Sequence, residues 1–163
     1  MKLTVTAFAL ATAAFAAPAL AQDAAAPMGD AVAGEKVFNK CQTCHVIADA
    51  EGTVLGGKNA KTGPNLYGLP GRVAGTYEGF KYGKSIVALG ETGFAWDEAS
   101  FVEYVADPAK FLKAKLDDKA AKSLMSFKLP KEEEALNVWA YIASLSPAPA
   151  AAEGDAAAAP ASN

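Results

Sequence analysis

Both cysteines and the only histidine of this 163-residue chain fall within one pentapeptide, Cys41-Gln42-Thr43-Cys44-His45. Two thiols three residues apart on one helical turn face the same way, so both can add to the vinyl groups of a single porphyrin. The histidine that follows is then held under the iron as its proximal ligand. Other uses of a Cys-x-x-Cys pair fit less well. A thioredoxin-like redox pair needs a βαβ setting, and none is visible. A zinc site needs four ligands, and the three Cys and His residues are too crowded to be the whole set. A disulfide across two residues is strained and closes almost no loop. The spacing points to one covalently attached haem c per chain, anchored at Cys41 and Cys44 and ligated by His45.

A rigid cofactor also accounts for the middle of the chain. Gly52 to Gly93 holds eleven of the fourteen glycines and has no sustained helical or strand period. An irregular stretch of that length is hard to fit inside a compact domain unless its loops wrap something that supplies a core. Helices are expected on either side of it. Asp30 can cap a helix from Ala31 to about Lys40, with Val32, Val37, Phe38 and Cys41 on its buried side. Gly34 within it costs about 1 kcal/mol relative to alanine, which suggests close approach by another helix. Asp97 caps a second helix carrying Phe101, Val102, Tyr104 and Val105, and Pro108 both ends it and opens a short helix through Leu112. The last helix begins at Pro130 or Lys131, places Glu132-Glu133-Glu134 at its positive end, and runs until Pro147. The class is all-α with long loops and no strand of any length.

The ends read differently. Residues 1–21 combine Lys2, an apolar run and Ala19-Leu20-Ala21, the pattern of an export signal cleaved after Ala21. The alternative is an uncleaved membrane anchor, against which stand Thr4, Thr6 and Thr12. Residues 22–29 form a flexible lead, 30–146 the folded domain, and 147–163 an Ala/Pro-rich tail with too little to bury to order itself.

The formal charge is −3 and becomes −4 once Lys2 leaves with the signal. Yet Asp107 to Lys131 holds seven lysines against three aspartates. An acidic chain with a single arginine does not indicate nucleic-acid binding. A one-sided basic patch that steers toward an acidic partner is the better reading, the alternative being a merely solvated face.

With no second histidine, the sixth iron position is filled by another side chain or left open. A methionine thioether is the obvious candidate. Met1 leaves with the signal and Met28 lies in the lead. Met125 follows His45 by eighty residues, enough for the chain to return on the opposite face of the porphyrin. Core filling is the alternative role for Met125.

The order of short motifs resembles class I c-type cytochromes, particularly the cytochrome c2 and c550 type of α-proteobacteria. The resemblance spans Asp30 to Ser146: Gly34 and Phe38 before Cys41–His45, then Thr62-Gly63-Pro64-Asn65-Leu66-Tyr67-Gly68 with Gly71-Arg72, and Gly79-Phe80-Lys81-Tyr82-Gly83. Trp96, Tyr104, Asp107-Pro108, Met125-Ser126-Phe127 and Trp139-Ala140-Tyr141-Ile142 complete it. It implies the class I cytochrome c fold, with helices and long loops around one haem. It further implies that His45 and Met125 are the axial ligands, and that the Pro64 carbonyl accepts a hydrogen bond from His45. Tyr104 would sit near the Met125 sulfur, and Arg72, Tyr82 and Trp96 would surround the inner propionate. Gly34 and Phe38 would pack on Val138 and Tyr141. Docking lysines map to Lys40, Lys61, Lys110, Lys128 and Lys131. Leu124 departs from mitochondrial relatives, which carry lysine immediately before the ligand methionine.

A six-coordinate iron has no free position for substrate, so the implied role is that of a soluble, monomeric, periplasmic one-electron carrier rather than an enzyme. Its expected donor is a cytochrome bc1 complex, and its acceptor a cytochrome c oxidase or a photosynthetic reaction centre. The alternatives are a haem subunit of a larger dehydrogenase or oxidase, and a haem enzyme or sensor with an open sixth site.

Overall fold

The computed structural model of the chain describes residues 26–148. The expected export signal, the first half of the lead and nearly all of the tail lie outside the described residues. No helix among those described is long and apolar enough to cross a membrane.

Asp30 opens the first helix, α1 (Ala31–Phe38), by accepting hydrogen bonds from the backbone N–H groups of Val32 and Ala33. Gly34 and Phe38 are its buried residues. Val32, expected inside, is 68% exposed. At 100° per residue it lies about 160° around the helix from Gly34, on the opposite face. The helix stops at Phe38, but turn-type hydrogen bonds carry on: Cys41 and Gln42 N–H donate to the Phe38 carbonyl, and Cys44 and His45 N–H to the Cys41 carbonyl. The pentapeptide is therefore wound as a tight turn on the end of α1.

Two short strands follow, a departure from the expected strand-free chain. β1 (Val46–Ala48) and β2 (Val54–Gly57) pair antiparallel with Val46 opposite Gly57 and Ile47 opposite Gly56. Three- and four-residue strands, one of them half glycine, leave no alternation to read. The glycines are there for packing. A β-carbon on Gly56 would lie 2.7 Å from the Tyr141 hydroxyl, and one on Gly57 (φ +79°) 2.9 Å from the Phe38 ring.

The glycine-rich stretch is also not wholly irregular. It contains α2 (Lys84–Glu91), an eight-residue helix that buries Leu89. Gly90 within it lets the helix lie against the Ala74 carbonyl, where a β-carbon would collide. The glycine that hid this helix in the sequence is what allows it to dock.

α3 and α4 start where Asp97 and Pro108 placed them, and α5 starts one residue after Lys131. α3 (Glu98–Ala106) has a capping box in which Ser100 N–H donates to the Asp97 carboxylate at 2.7 Å and Asp97 N–H donates to the Ser100 hydroxyl at 3.1 Å. α4 (Pro108–Lys115) takes Asp107 as its cap and Pro108 in its first turn, and runs one residue short of Leu116 rather than stopping at Leu112. α5 (Glu132–Leu145) carries its three glutamates in the first turn.

The core lies where α1 and α3 pack on α5. Gly34 is pressed against the Asn137 carbonyl and the Tyr141 β-carbon, and the Phe38 and Tyr141 rings meet at 5.4 Å. Val138, Trp139 and Ile142 fill α5's inner face, with Trp139 against Phe101 at 5.3 Å. The fold is mainly helical with a small sheet, and its long loops leave the site residues on separate segments.

Candidate haem site

His45 leaves the turn after α1 and is gripped by the loop at residues 63–64. Gly63 N–H donates to the Cys44 carbonyl at 2.7 Å, and His45 Nδ1 lies 2.8 Å from the Pro64 carbonyl. A carbonyl can only accept, so Nδ1 carries the proton and Nε2 keeps its lone pair. Burial pulls the imidazole pKa down, against a smaller upward pull from the Pro64 bond. The ring is thus a neutral donor of fixed tautomer and orientation.

Asn65, next in the chain, locks this loop. Its side chain accepts from Ala48 N–H and Tyr67 N–H and donates to the Ala48 carbonyl at 2.7 Å, tying the loop to β1. Sequence reasoning gave Asn65 no role. Its only signal was its place directly after Pro64.

Cys41 and Cys44 are both free thiols. Burial pushes Cys41 up to about 11, against a smaller opposing pull from Lys40, so it is a neutral thiol near pH 7. That is the form whose S–H adds across a carbon–carbon double bond, sulfur to one carbon and hydrogen to the other, with no net oxidation.

A second group of residues lines up along Trp96. The Trp96 ring stands 5.0 Å from Tyr104 and 6.1 Å from Phe111, while Tyr104 and Phe111 meet edge-on at 5.5 Å. Trp96 N–H donates to the Arg72 carbonyl, and Gly71 N–H to the Trp96 carbonyl, so Arg72 and Trp96 are backbone neighbours. The Arg72 guanidinium donates to the carbonyls of Asn65 (2.9 Å) and Tyr67 (3.0 Å) and lies over the Tyr77 ring at 5.1 Å. Burial lowers its pKa, with Tyr82 and Tyr77 acting the other way. Burial pushes the Tyr82 phenol up, against a smaller opposing pull from Arg72. Tyr77 was not anticipated, and an aromatic residue in a glycine-rich loop gave no signal.

Met125 is half-buried against the core. Its N–H donates to the Ser123 hydroxyl at 3.0 Å, and that hydroxyl shares a 3.4 Å hydrogen bond with Tyr104. Burial raises the Tyr104 pKa and the Ser123 bond lowers it. Tyr104 therefore reaches the Met125 segment through Ser123, a residue missed in the sequence.

The lysines look different in three dimensions. Lys40 and Lys131 both pair with Glu134, at 2.6 and 3.3 Å, and Lys128 pairs with Asp107 at 2.7 Å. Lys115 meets Glu103 at 3.2 Å. Lys61 and Lys110 are exposed and make no ion pair among the described residues. A sequence window from 107 to 131 counts none of these glutamates, so it overstates the local positive charge.

The donor set fits a covalently held iron porphyrin: two thiols on one turn, an imidazole with Nε2 open, a thioether, and an aromatic wall of Trp96, Tyr104 and Phe111. Among the described residues no three His, Cys, Asp or Glu side chains converge as a site for a bare metal ion.

No family model matches the chain. Among curated proteins, cytochrome c2 of Fuscovulum blasticum is 60% identical over 128 residues, 78% of this chain and 81% of that one. Cytochrome c2 of Cereibacter sphaeroides is 58% identical over 144 residues, covering 87% and 95%. The chain belongs to the cytochrome c2 family. The solved structure of cytochrome c2 from Rhodobacter sphaeroides matches with a TM-score of 0.70 at 57% identity, covering 71% of this chain and 95% of that chain. The fold is accordingly that of class I c-type cytochromes, and the cofactor is one covalent haem c. Cytochromes c2 are electron carriers, and the haem supplies a one-electron iron couple when bound.

Proposed function

We propose that this protein is a monomeric periplasmic one-electron carrier, not an enzyme. It receives electrons from a cytochrome bc1 complex and delivers them to a cytochrome c oxidase or a photosynthetic reaction centre. Its export signal is cleaved after Ala21, which an intact mass of the exported protein measures directly.

The observation that carries the reading is the 2.8 Å contact between His45 Nδ1 and the Pro64 carbonyl, which leaves Nε2 to ligate iron. Met125, held through Ser123 at the Tyr104 hydroxyl, would supply the second side-chain ligand to the iron. An iron held by both side chains would leave no place for substrate and would supply outer-sphere, one-electron transfer. Cys41 and Cys44 hold the porphyrin in place. Arg72, Tyr82 and Trp96 would hold a propionate of the porphyrin, and the Arg72 charge would offset its carboxylate. A thioether donor and a buried site both favour the ferrous state and raise the potential. Lys40, Lys61, Lys110, Lys128 and Lys131 steer acidic partners to the exposed edge.

The visible spectrum tests the ligand set. The oxidised protein should show a weak far-red methionine band, and Met125→Ala should turn a protein inert to carbon monoxide into one that binds it readily. A high-spin spectrum in the unaltered protein would overturn the assignment. Transfer rates to an acidic redox partner should fall with ionic strength, and a flat response would remove the lysines from docking.

A further inference from the structure

We propose that the first turn of α2 is an outer clamp on the Met125 segment, with Ser85 as a positioning residue for the thioether. The inference rests on the reading of Met125 as an iron ligand.

Between α4 and α5 the chain has no regular structure. Ala121 and Leu129, at either end of the stretch that carries Met125, are buried, and Leu129 N–H donates to the Val105 carbonyl at 2.7 Å. The seven residues between them are held at few points. On the inner side, Ser123 joins the Met125 backbone to Tyr104. Lys128 makes an exposed ion pair with Asp107. On the outer side, Lys122 N–H donates to the Ser85 hydroxyl at 3.0 Å, across thirty-seven residues of sequence.

Ser85 stands on a firm platform. Leu89 anchors α2 in the core, Gly90 sits on the Ala74 carbonyl, and Gly75 lies against the Ile86 and Val87 backbone. The same end of α2 touches the segment a second time: a β-carbon on its capping residue Gly83 would lie 3.0 Å from Leu124 Cγ. Leu124 is 74% exposed, so this contact is with a side chain that nothing else covers closely. Ser85 grips a backbone N–H, so it fixes where the chain runs whatever side chain stands at 122.

The consequence lies in how firmly the thioether is held. Methionine is a weak, neutral donor, and any opening of residues 122–125 withdraws it and admits a stronger competitor. The apparent affinity for a competitor is its intrinsic affinity multiplied by the fraction of open protein. Loss of one backbone hydrogen bond raises that fraction about fivefold.

The test is a titration of the ferric holoprotein with imidazole, following loss of the far-red band. Ser85→Ala should bind imidazole about fivefold more tightly, and amide exchange at Lys122 and Met125 should speed up. Ser85→Thr keeps the hydroxyl and should restore both values. Thr76→Ala removes a hydroxyl that donates to the Val73 carbonyl elsewhere and should leave imidazole affinity unchanged. Equal affinity in the wild type and Ser85→Ala overturns the clamp, as does an equal gain in Thr76→Ala. A wild-type protein with no far-red band overturns the Met125 ligation first, and the clamp with it.

Discussion

Gly63 backs directly onto the imidazole of His45: a β-carbon there would lie 2.6 Å from Nδ1 and 2.8 Å from Nε2. The ring is also tied to the Pro64 carbonyl and lies against a loop that Asn65 fastens to β1, so it has little room to yield. Gly63→Ala should tilt the ring off its hydrogen bond and destabilise the protein by about 1–3 kcal/mol, the usual range for overpacking. Urea denaturation of the holoprotein measures the loss, and an unchanged midpoint would mean the loop shifts freely.

The crossing of α1 and α5 gives a second test. Alanine is the better helix former by about 1 kcal/mol, so propensity alone says that Gly34→Ala stabilises. The Asn137 carbonyl occupies that space, and it belongs to a helix that cannot move without disturbing Val138 and Trp139. Sterics should win, with a net loss of about 1–3 kcal/mol.

Acid sensitivity has a defined contributor in Asp107. Its carboxyl is held below its ordinary value of 3.8, first by the hydrogen bond from Lys128 and then by Lys110 N–H. A depressed folded-state pKa adds stability that is complete above the unfolded value and is lost as pH falls through the folded one. Asp107→Asn keeps an oxygen for Lys110 N–H and removes the ion pair. It should lower the melting temperature slightly at pH 7, and the gap should close below the folded-state pKa.

Glu134 restrains two of the lysines assigned to docking. Glu134→Gln should free Lys40 and Lys131, raise the association rate with an acidic redox partner on the order of twofold at low salt, and steepen its salt dependence. Stopped-flow rates at several ionic strengths check this. A rate that falls would place Glu134 in the contact itself.

What the sequence revealed was mostly local chemistry. The pentapeptide, the caps at Asp30 and Asp97, the proline at 108 and the glycine at 34 act over a few residues, and each could be read in place. Val32 was misread although helical phase alone puts it outside. The hairpin and α2 were hidden because Gly56, Gly57 and Gly90 answer to neighbours far along the chain, not to strand or helix propensity. Lysine pairing was illegible for the same reason: Lys40 meets Glu134 across ninety-four residues. Ser85 and Asn65 act through contacts with distant backbone, and Ser123 links its own segment to the Tyr104 hydroxyl; no pattern marks such residues.

The placement of both thiols on one turn at the end of α1 changes how this molecule obeys mass action. A cofactor held only by the fold dissociates when the fold opens, so dilution lowers its apparent stability. A covalently attached porphyrin stays on the chain when α5 and the Met125 segment come away. Unfolding and refolding are then unimolecular, and even at low concentration the protein never has to find its haem twice.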